Sequence, residues 1–427
     1  MTFQTSLTLL LFFVVSVHPF AGHAQVIAPS AEEVAFQYSA QFLTDGDPEA
    51  EAAVHSQYLF GVLHSPSMVA AFDLNPELQE GLGGPRLPLT IQVGKVWIDE
   101  QGRQVVNYQA FGRMLLHKKV VTQSRASASL NLYLPYDISK IYLKKCTDAY
   151  YFGFGDYWYF WDPYREGCER LQQASITREV TLKFTWITSV PSEQTPDLEK
   201  LRGDNGNGEK LSVFVLNGFA DSSKAIADEG RAGFHAIEAM FEQRGFTVEH
   251  LNRSPLITRN RYTQRLDRGG KTIDVEVTHQ LANTDIAADA ITFARAFKQA
   301  VREGDLVVYL GHSGLGANLD IPSLNEKLKA NGDGPIEFTR DKYQIFFFDS
   351  CSSYSYYLPH FRELKPKGKI DIISYGLSSY FHTSGEVFKV FADIFIGLDS
   401  ARPWEDILKA MEKPLGRSSY LLNVGAI

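Results

Sequence analysis

The stretches LVVYLGHSG at 306–314 and IFFFDSCS at 345–352 each begin with an apolar run and end in polar residues. Continuous apolar runs of this length are typical of strands that are buried on both faces of a parallel sheet. Open α/β sheets place ligands and reactive groups at the carboxyl ends of such strands. We therefore expect His312 and Cys351, which follow two neighbouring strands, to meet at one edge of the sheet.

The region from 211 to 427 alternates between strand and helix patterns. Two amphipathic segments at 232–244 and 285–303 predict helices, and each is followed by a glycine, Gly245 or Gly304, as helices often are. A loop and a further helix are expected over 377–398. Besides the two strands above, the pattern predicts strands at 211–216, 246–251, 273–277 and 370–374. This alternation indicates an α/β domain with a mainly parallel sheet.

The region 87–190 has a different residue pattern. Short segments rich in Val, Ile, Tyr and Phe recur there between turn signals, and TLKFTW at 181–186 alternates apolar and polar residues. We expect an all-β, sandwich-like domain. Alanine and charged residues dominate 25–86, which predicts a helical N-terminal lead-in, whereas the polar, Gly- and Pro-rich segment 191–210 has linker composition.

The length of 427 residues favours more than one domain, and the formal charge of −8 argues against a nucleic-acid partner. An apolar core at 7–17 precedes the small residues AGHA at 21–24. This pattern predicts a secretory signal peptide over 1–24, and no later segment reaches transmembrane length. We expect a secreted or periplasmic protein without a stable membrane span after removal of the signal.

The chain has three cysteines. In an oxidising compartment Cys146 and Cys168, which lie in the β-rich region, can form a disulfide. Cys351 is then a free thiol, which is either buried and inert or kept free because it reacts. The aromatic segment YYFGFGDYWYFW at 150–161 is either an exposed binding platform or the filling of the β-domain core, and we favour the core.

The residues at the two strand ends suit nucleophilic catalysis. A thiol near neutral pH is only a few per cent thiolate, so a nearby imidazole can act as base and later protonate a leaving amine. Backbone N–H groups must then stabilise the developing oxyanion. Gly314 and Ser313, beside His312, are the candidates for that oxyanion environment.

The residues GDLVVYLGH at 304–312 resemble the strand that bears the catalytic His in caspase-like cysteine peptidases, and DSC at 349–351 is similar to the Cys motif of metacaspases. The resemblance covers about 211–398 and includes the order of strands and helices. It implies Cys351 as nucleophile, His312 as general acid/base and Asp349 as the partner of a basic P1 side chain. It thus implies a caspase-like fold that cleaves peptide or protein substrates after Arg or Lys without a cofactor.

Other interpretations remain open. The residues GHSGLG at 311–316 predict a serine hydrolase if Ser313, Asp349 and His382 form a triad in that chain order. The chain is alternatively an exported binding protein with an inactive caspase-like scaffold, in which His312 and Cys351 are packed residues. A metal site on His312, Cys351 and Asp349 offers too few ligands with a recognisable spacing, so no metal is expected.

Overall fold

The computed structural model describes residues 25–425 except 79–80, 150, 154, 188–193, 202–208, 222, 224, 226, 255, 269, 286–289, 398–401 and 417. The signal peptide predicted at 1–24 lies outside the described residues. The strands are β1 (Val26–Ile27), β2 (Ala31–Thr44), β3 (Gly83–Pro85), β4 (Thr90–Ile98), β5 (Gln104–His117), β6 (Ser129–Pro135), β7 (Thr177–Trp186), β8 (Lys210–Gly218), β9 (Thr247–Arg253), β10 (Thr258–Arg268), β11 (Lys271–Ala282), β12 (Leu306–Leu310), β13 (Gln344–Asp349), β14 (Ile370–Tyr375) and β15 (Leu422–Gly425).

The α-helices are α1 (Pro48–Ser56), α2 (Tyr58–Leu63), α3 (Pro66–Ala71), α4 (Lys118–Ser124), α5 (Glu229–Gln243), α6 (Ile291–Glu303), α7 (Ile321–Ala330), α8 (Ser353–Tyr356), α9 (Leu358–Phe361), α10 (Phe381–Phe395) and α11 (Trp404–Glu412). Short 3₁₀ turns lie at Pro76–Leu78, Ile138–Lys140, Lys144–Cys146, Tyr157–Phe160, Glu169–Gln172, Gly314–Leu319 and Lys413–Leu415. None of the helices within the described ranges is long and apolar enough to cross a membrane.

The larger sheet has nine strands in the order β1-β15-β14-β13-β12-β8-β11-β10-β9. Its five central strands, β14 to β11 in that order, are parallel, and antiparallel pairs add β15 and β1 at one edge and β10 and β9 at the other. The mainly parallel sheet predicted from the sequence is thus confirmed. The first parallel strand, β8, lies between β11 and β12. The chain adds β11 on one side of β8 and then β12 on the other side, so the strand order reverses at β8. Such a switch point is where open α/β sheets bind ligands.

Both faces of this sheet are covered. Every residue of β12 and β13 is buried, which explains their unbroken apolar runs. One face of these strands, which includes Val307 and Phe346, packs with Phe297 of α6. The other face, which includes Val308 and Phe347, packs with residues of α5, α10 and α11.

The second sheet is antiparallel, with the order β3-β5-β2-β7-β6 and with β4 also paired to β5. The expected β-sandwich over 87–190 is wrong, because these strands form one curled sheet and not two facing layers. Its apolar face is covered by helices from the lead-in and by the aromatic segment, and it shares one continuous core with the nearer face of the nine-stranded sheet.

The helical lead-in predicted over 25–86 is correct for α1, α2 and α3 and wrong for residues 31–44, which form β2 at the centre of the antiparallel sheet. The Ala and Glu residues of AEEVAFQYSAQFLT favour a helix in isolation. Val34, Phe36, Tyr38, Ala40 and Phe42 nevertheless recur at every second position, and all five are buried. The period of two, which places one side of a strand in the core, outweighs the local helix preference.

The described part of the predicted linker is packed. Within 194–201, the side chains of Leu198 and Leu201 are buried beside the nine-stranded sheet, and the Asp197 N–H donates to the Tyr343 hydroxyl at 3.2 Å. This part of the chain is therefore not the exposed hinge that its composition indicates. The predicted disulfide between Cys146 and Cys168 is present, and both residues are fully buried.

Candidate active site

His312 and Cys351 follow adjacent parallel strands at equivalent positions. Leu310 at the end of β12 is paired with Asp349 at the end of β13, and the Gly311 N–H donates to the Asp349 carbonyl at 3.1 Å. His312 and Cys351 each lie two residues beyond this last pair. Both line one cavity of about 260 Å³ at the carboxyl edge of the sheet.

The His312 ring is exposed and held in one orientation. Its Nε2 lies 2.6 Å from the Ala220 carbonyl oxygen, in the loop after β8. Because a carbonyl can only accept, Nε2 carries the hydrogen and Nδ1 is left with a free lone pair. The Tyr309 hydroxyl and the Asn318 amide donate to the His312 carbonyl at 2.6 Å and 2.9 Å, which fixes the backbone.

The Ala220 loop is itself anchored by α5. Asp228, the N-cap residue of α5, accepts hydrogen bonds from the backbone N–H groups of Ala220 at 3.2 Å and Asp221 at 2.8 Å. The second residue of the helix is Gly230, where a Cβ atom would lie 2.2 Å from the Gly218 carbonyl oxygen. The close approach of α5 to the end of β8 thus requires glycine at this position.

Cys351 is a partly buried free thiol. Its Sγ lies 3.5 Å from the Ser379 carbonyl oxygen. Burial raises the pKa of the thiol, hydrogen bonding to the thiolate from the Ser379 backbone and the Ser378 side chain acts in the opposite direction, and the nearby Asp349 carboxyl raises it further. The thiol is therefore mostly protonated at neutral pH when the cavity holds no substrate.

The tyrosines after Cys351 do not obstruct the cavity. Ser352 has a left-handed backbone with φ of 52°, which turns the chain into α8. Tyr354, Tyr356 and Tyr357 are consequently buried behind the sheet edge and are absent from the cavity lining. The Tyr357 hydroxyl, directly after α8, donates to the Ser313 carbonyl at 2.8 Å and so links this part of the chain to the loop after β12.

Asp349 contributes a buried carboxyl group to the lining of the cavity. Its side chain is 2 % exposed, and no described residue makes a hydrogen bond of ordinary geometry to either carboxyl oxygen, although the hydroxyls of Ser384 and Ser379 lie nearby. Burial raises the pKa of this carboxyl to about 7, against a smaller opposing effect from the hydroxyls of Ser384 and Ser379. Asp148 and Glu229 also line the cavity, so it is rich in carboxyl groups.

One side of the cavity is an aromatic wall formed by Tyr151, Tyr159 and Phe160. These residues come from the loop closed by the Cys146–Cys168 disulfide, and Tyr380 and Phe381 line another part of the cavity. The aromatic segment fills the core, as expected: the side chains of four of its residues are buried, namely Tyr157, Trp158, Tyr159 and Trp161. The segment also lines the cavity through Tyr151, Tyr159 and Phe160, and the sequence alone does not predict which cavity it borders.

The structure does not bring the other predicted site residues into this cavity. Ser313 is 4 % exposed, and neither Ser313 nor Gly314 is part of the lining, whereas Gly311 is. His382 is exposed and stacks on Tyr380, and neither His382 nor Ser313 lines the cavity that holds Asp349, so Ser313, Asp349 and His382 do not surround this cavity together. Across the described parts of the chain, no group of three or more His, Cys, Asp or Glu side chains is arranged to hold a metal ion.

Comparison of the sequence with protein-family models finds no match, and no curated protein matches it significantly.

Proposed function

We propose that the protein is a caspase-like cysteine endopeptidase in which Cys351 is the nucleophile and His312 the general acid/base. The observation that supports this proposal best is the position of the two residues, which follow adjacent parallel strands in register and line the same cavity. The Ala220 carbonyl supports it further, because it selects the imidazole tautomer whose Nδ1 can accept a proton.

In the proposed reaction the Cys351 proton moves to His312 Nδ1 as the sulfur attacks the scissile carbonyl. The imidazolium then donates that proton to the leaving amine, and water hydrolyses the thioester. Because burial raises the pKa of Cys351, the resting thiol is protonated, and His312 takes up its proton in the attack step. The P1 side chain lies in the cavity, where Asp349, Asp148 and Glu229 favour Arg or Lys.

The test is turnover of fluorogenic peptides with Arg or Lys at P1 by the protein purified without its signal peptide. Cys351→Ala and His312→Ala are each expected to reduce kcat at least a thousandfold, and thermal melting of both variants checks that the fold is retained. Ser313→Ala, whose side chain lies outside the cavity, tests the serine-hydrolase alternative and is expected to keep activity close to that of the wild type. Unchanged turnover in Cys351→Ala would overturn the proposal, and loss only in Ser313→Ala would support the serine hydrolase.

A second candidate is an exported binding protein in which the thiol is inert. The contact between Cys351 Sγ and the Ser379 carbonyl favours it, because it occupies the thiol hydrogen. Iodoacetamide alkylation with and without an Arg-containing peptide aldehyde separates the two candidates. Covalent capture of the aldehyde by Cys351 supports the peptidase, whereas a thiol that reacts with neither reagent at neutral pH supports the binding protein.

We infer that the protein is exported to the periplasm or the cell exterior. The buried Cys146–Cys168 disulfide supports this inference, because disulfides persist in oxidising compartments.

A further inference from the structure

We propose that the disulfide-closed loop of the antiparallel sheet determines the specificity of the cavity: Tyr151 and Asp148 contact the cationic side chain of the ligand directly. That this ligand is a peptide substrate rests on the proposed function. The binding of a cationic side chain is a separate claim and can be tested without turnover.

The loop supplies the part of the cavity that faces the reactive residues. Asp148 and the aromatic wall (Tyr151, Tyr159 and Phe160) lie within the segment closed by Cys146 and Cys168, and they share the lining with His312, Asp349 and Cys351. Tyr151 and Cys351 line the same cavity, and burial and the Cys351 thiol both raise the pKa of the Tyr151 phenol. A side chain that enters the cavity is therefore bordered both by rings from the disulfide-closed loop and by residues at the carboxyl edge of the nine-stranded sheet.

The aromatic wall is supported by contacts among its own rings and by packing against α2. Its rings contact one another, with centroid distances of 4.8 Å for Tyr151–Tyr159 and 5.0 Å for Tyr151–Phe160. Phe60 of α2 stacks on Tyr159 at 5.2 Å. At Gly61 a Cβ atom would lie 1.8 Å from the Trp158 carbonyl oxygen, so the helix backbone presses directly on the loop.

The loop backbone is also fixed where it meets the cavity. The Thr147 hydroxyl donates to the Tyr151 carbonyl at 2.8 Å, and the Asp162 N–H donates to the Cys146 carbonyl at 2.8 Å. Because the loop is bonded internally and packed on α2, Tyr151 and Asp148 are placed before a ligand arrives. Little ordering of the loop then opposes binding.

The chemistry of the lining selects one class of side chain. Aromatic faces attract cations, and carboxylates pair with them, so the combination of Tyr151, Asp148 and Asp349 fits a guanidinium or ammonium group on an apolar stem. A neutral side chain of the same shape gains only the contacts with the rings. An acidic side chain is repelled by the carboxyl groups.

The experiment measures binding in the Cys351→Ala protein, which removes turnover. Calorimetry compares Nα-acetyl-arginine amide with Nα-acetyl-citrulline amide, which has the same shape without the charge. The arginine derivative is expected to bind at least tenfold more tightly. Added to this background, Tyr151→Ala is expected to weaken its binding about tenfold, and Tyr151→Phe, which keeps the ring face, to change it less than twofold.

The matched control is Phe152→Ala, because Phe152 lies in the same loop, is 37 % exposed and does not line the cavity. Unchanged binding in this control, with loss in Tyr151→Ala and Asp148→Asn, supports the proposal. Equal binding of the two amides, or equal loss in Phe152→Ala, overturns it.

The outcome is independent of the peptidase question. Selective arginine binding that depends on Tyr151, in a protein that cleaves no peptide, supports the inference and counts against the proposed function. Conversely, cleavage after Arg with a KM that Tyr151→Ala leaves unchanged supports the function and overturns the inference.

Discussion

The Tyr354 hydroxyl, three residues after Cys351, donates a hydrogen bond of 3.0 Å to Glu33 Oε1 on β2 of the antiparallel sheet. Arg86 binds the same carboxylate oxygen at 2.9 Å and lies over the Tyr354 ring. Glu33 and Tyr354 are both buried. The segment that follows the candidate nucleophile is thus attached to the antiparallel sheet, and the two sheets form one unit through a charged group that is removed from water.

Glu33→Gln is expected to lower the free energy of unfolding by about 3 kcal/mol, because Arg86 keeps its charge and loses its nearest carboxylate. Tyr354→Phe removes one hydrogen bond to a charged group and is expected to cost about 2 kcal/mol. Urea denaturation of both variants and of the double variant gives the coupling free energy. Glu363→Gln, at a side chain that is 73 % exposed, is the control and is expected to stay within about 0.5 kcal/mol. Additive effects of the two buried substitutions would contradict the direct contact.

Asp349→Asn is expected to change how stability depends on pH. The carboxyl has a pKa of about 7 in the folded protein and about 4 in the unfolded chain. Below pH 4 both states are protonated; between pH 4 and 7 only the unfolded state ionises, so stability falls as the pH rises. Asparagine does not titrate, and the variant should therefore gain about 2–4 kcal/mol relative to the wild type between pH 4 and pH 8.

Chemical denaturation at several pH values measures this difference. Asp341→Asn, which removes an exposed carboxyl, is the control for the general effect of replacing a carboxyl by an amide. A flat difference for Asp349→Asn would show that the buried carboxyl is ionised throughout and that its pKa is not raised.

Asp228→Ala is expected to lower kcat about tenfold with a smaller effect on KM, if the protein is the proposed peptidase. Without this carboxylate the Ala220 loop loses two hydrogen bonds, and the carbonyl that orients His312 is released. The variant also loses a helix cap, which costs about 1 kcal/mol of stability. Asp47→Ala removes the equivalent cap of α1, which does not line the cavity, and separates the loss of a cap from the loss of orientation. A similar kcat in both variants would argue against a role of Asp228 in positioning His312.

The sequence predicts the central strands well because their burial on both faces leaves unbroken apolar runs, as in β12 and β13. It fails for β2, where Ala and Glu obscure a period of two, and for β10, whose residues TRNRYTQRLDR are polar. The strand β10 lies between β9 and β11 near the edge of the sheet, and of its side chains Asn260 and Tyr262 are fully buried. Its pairing, rather than an apolar pattern, makes it a strand.

The site is predictable only where it depends on the edge of the parallel sheet. His312 and Cys351 lie at the same edge because they follow neighbouring parallel strands, and the alternation of helices and strands in the sequence indicates such a sheet. The hydrogen-bond partner that orients His312 is the backbone carbonyl of Ala220. Because every residue has a backbone carbonyl, the amino-acid sequence does not indicate this contact. The aromatic wall depends on how two sheets pack against each other, which is set by contacts between residues far apart in the chain, such as Glu33 and Tyr354.

The pairing of β1 with β15 has a practical consequence for anyone who wishes to produce the α/β region alone. Val26 is paired with Val424 and Ile27 with Asn423, and the Ala28 N–H donates to the Leu422 carbonyl at 2.9 Å. A fragment that starts at residue 211 lacks this partner strand, so the outer hydrogen-bonding groups of β15 become available to a strand from another molecule. Edge-to-edge association, and with it precipitation during purification, is the expected fate of that fragment.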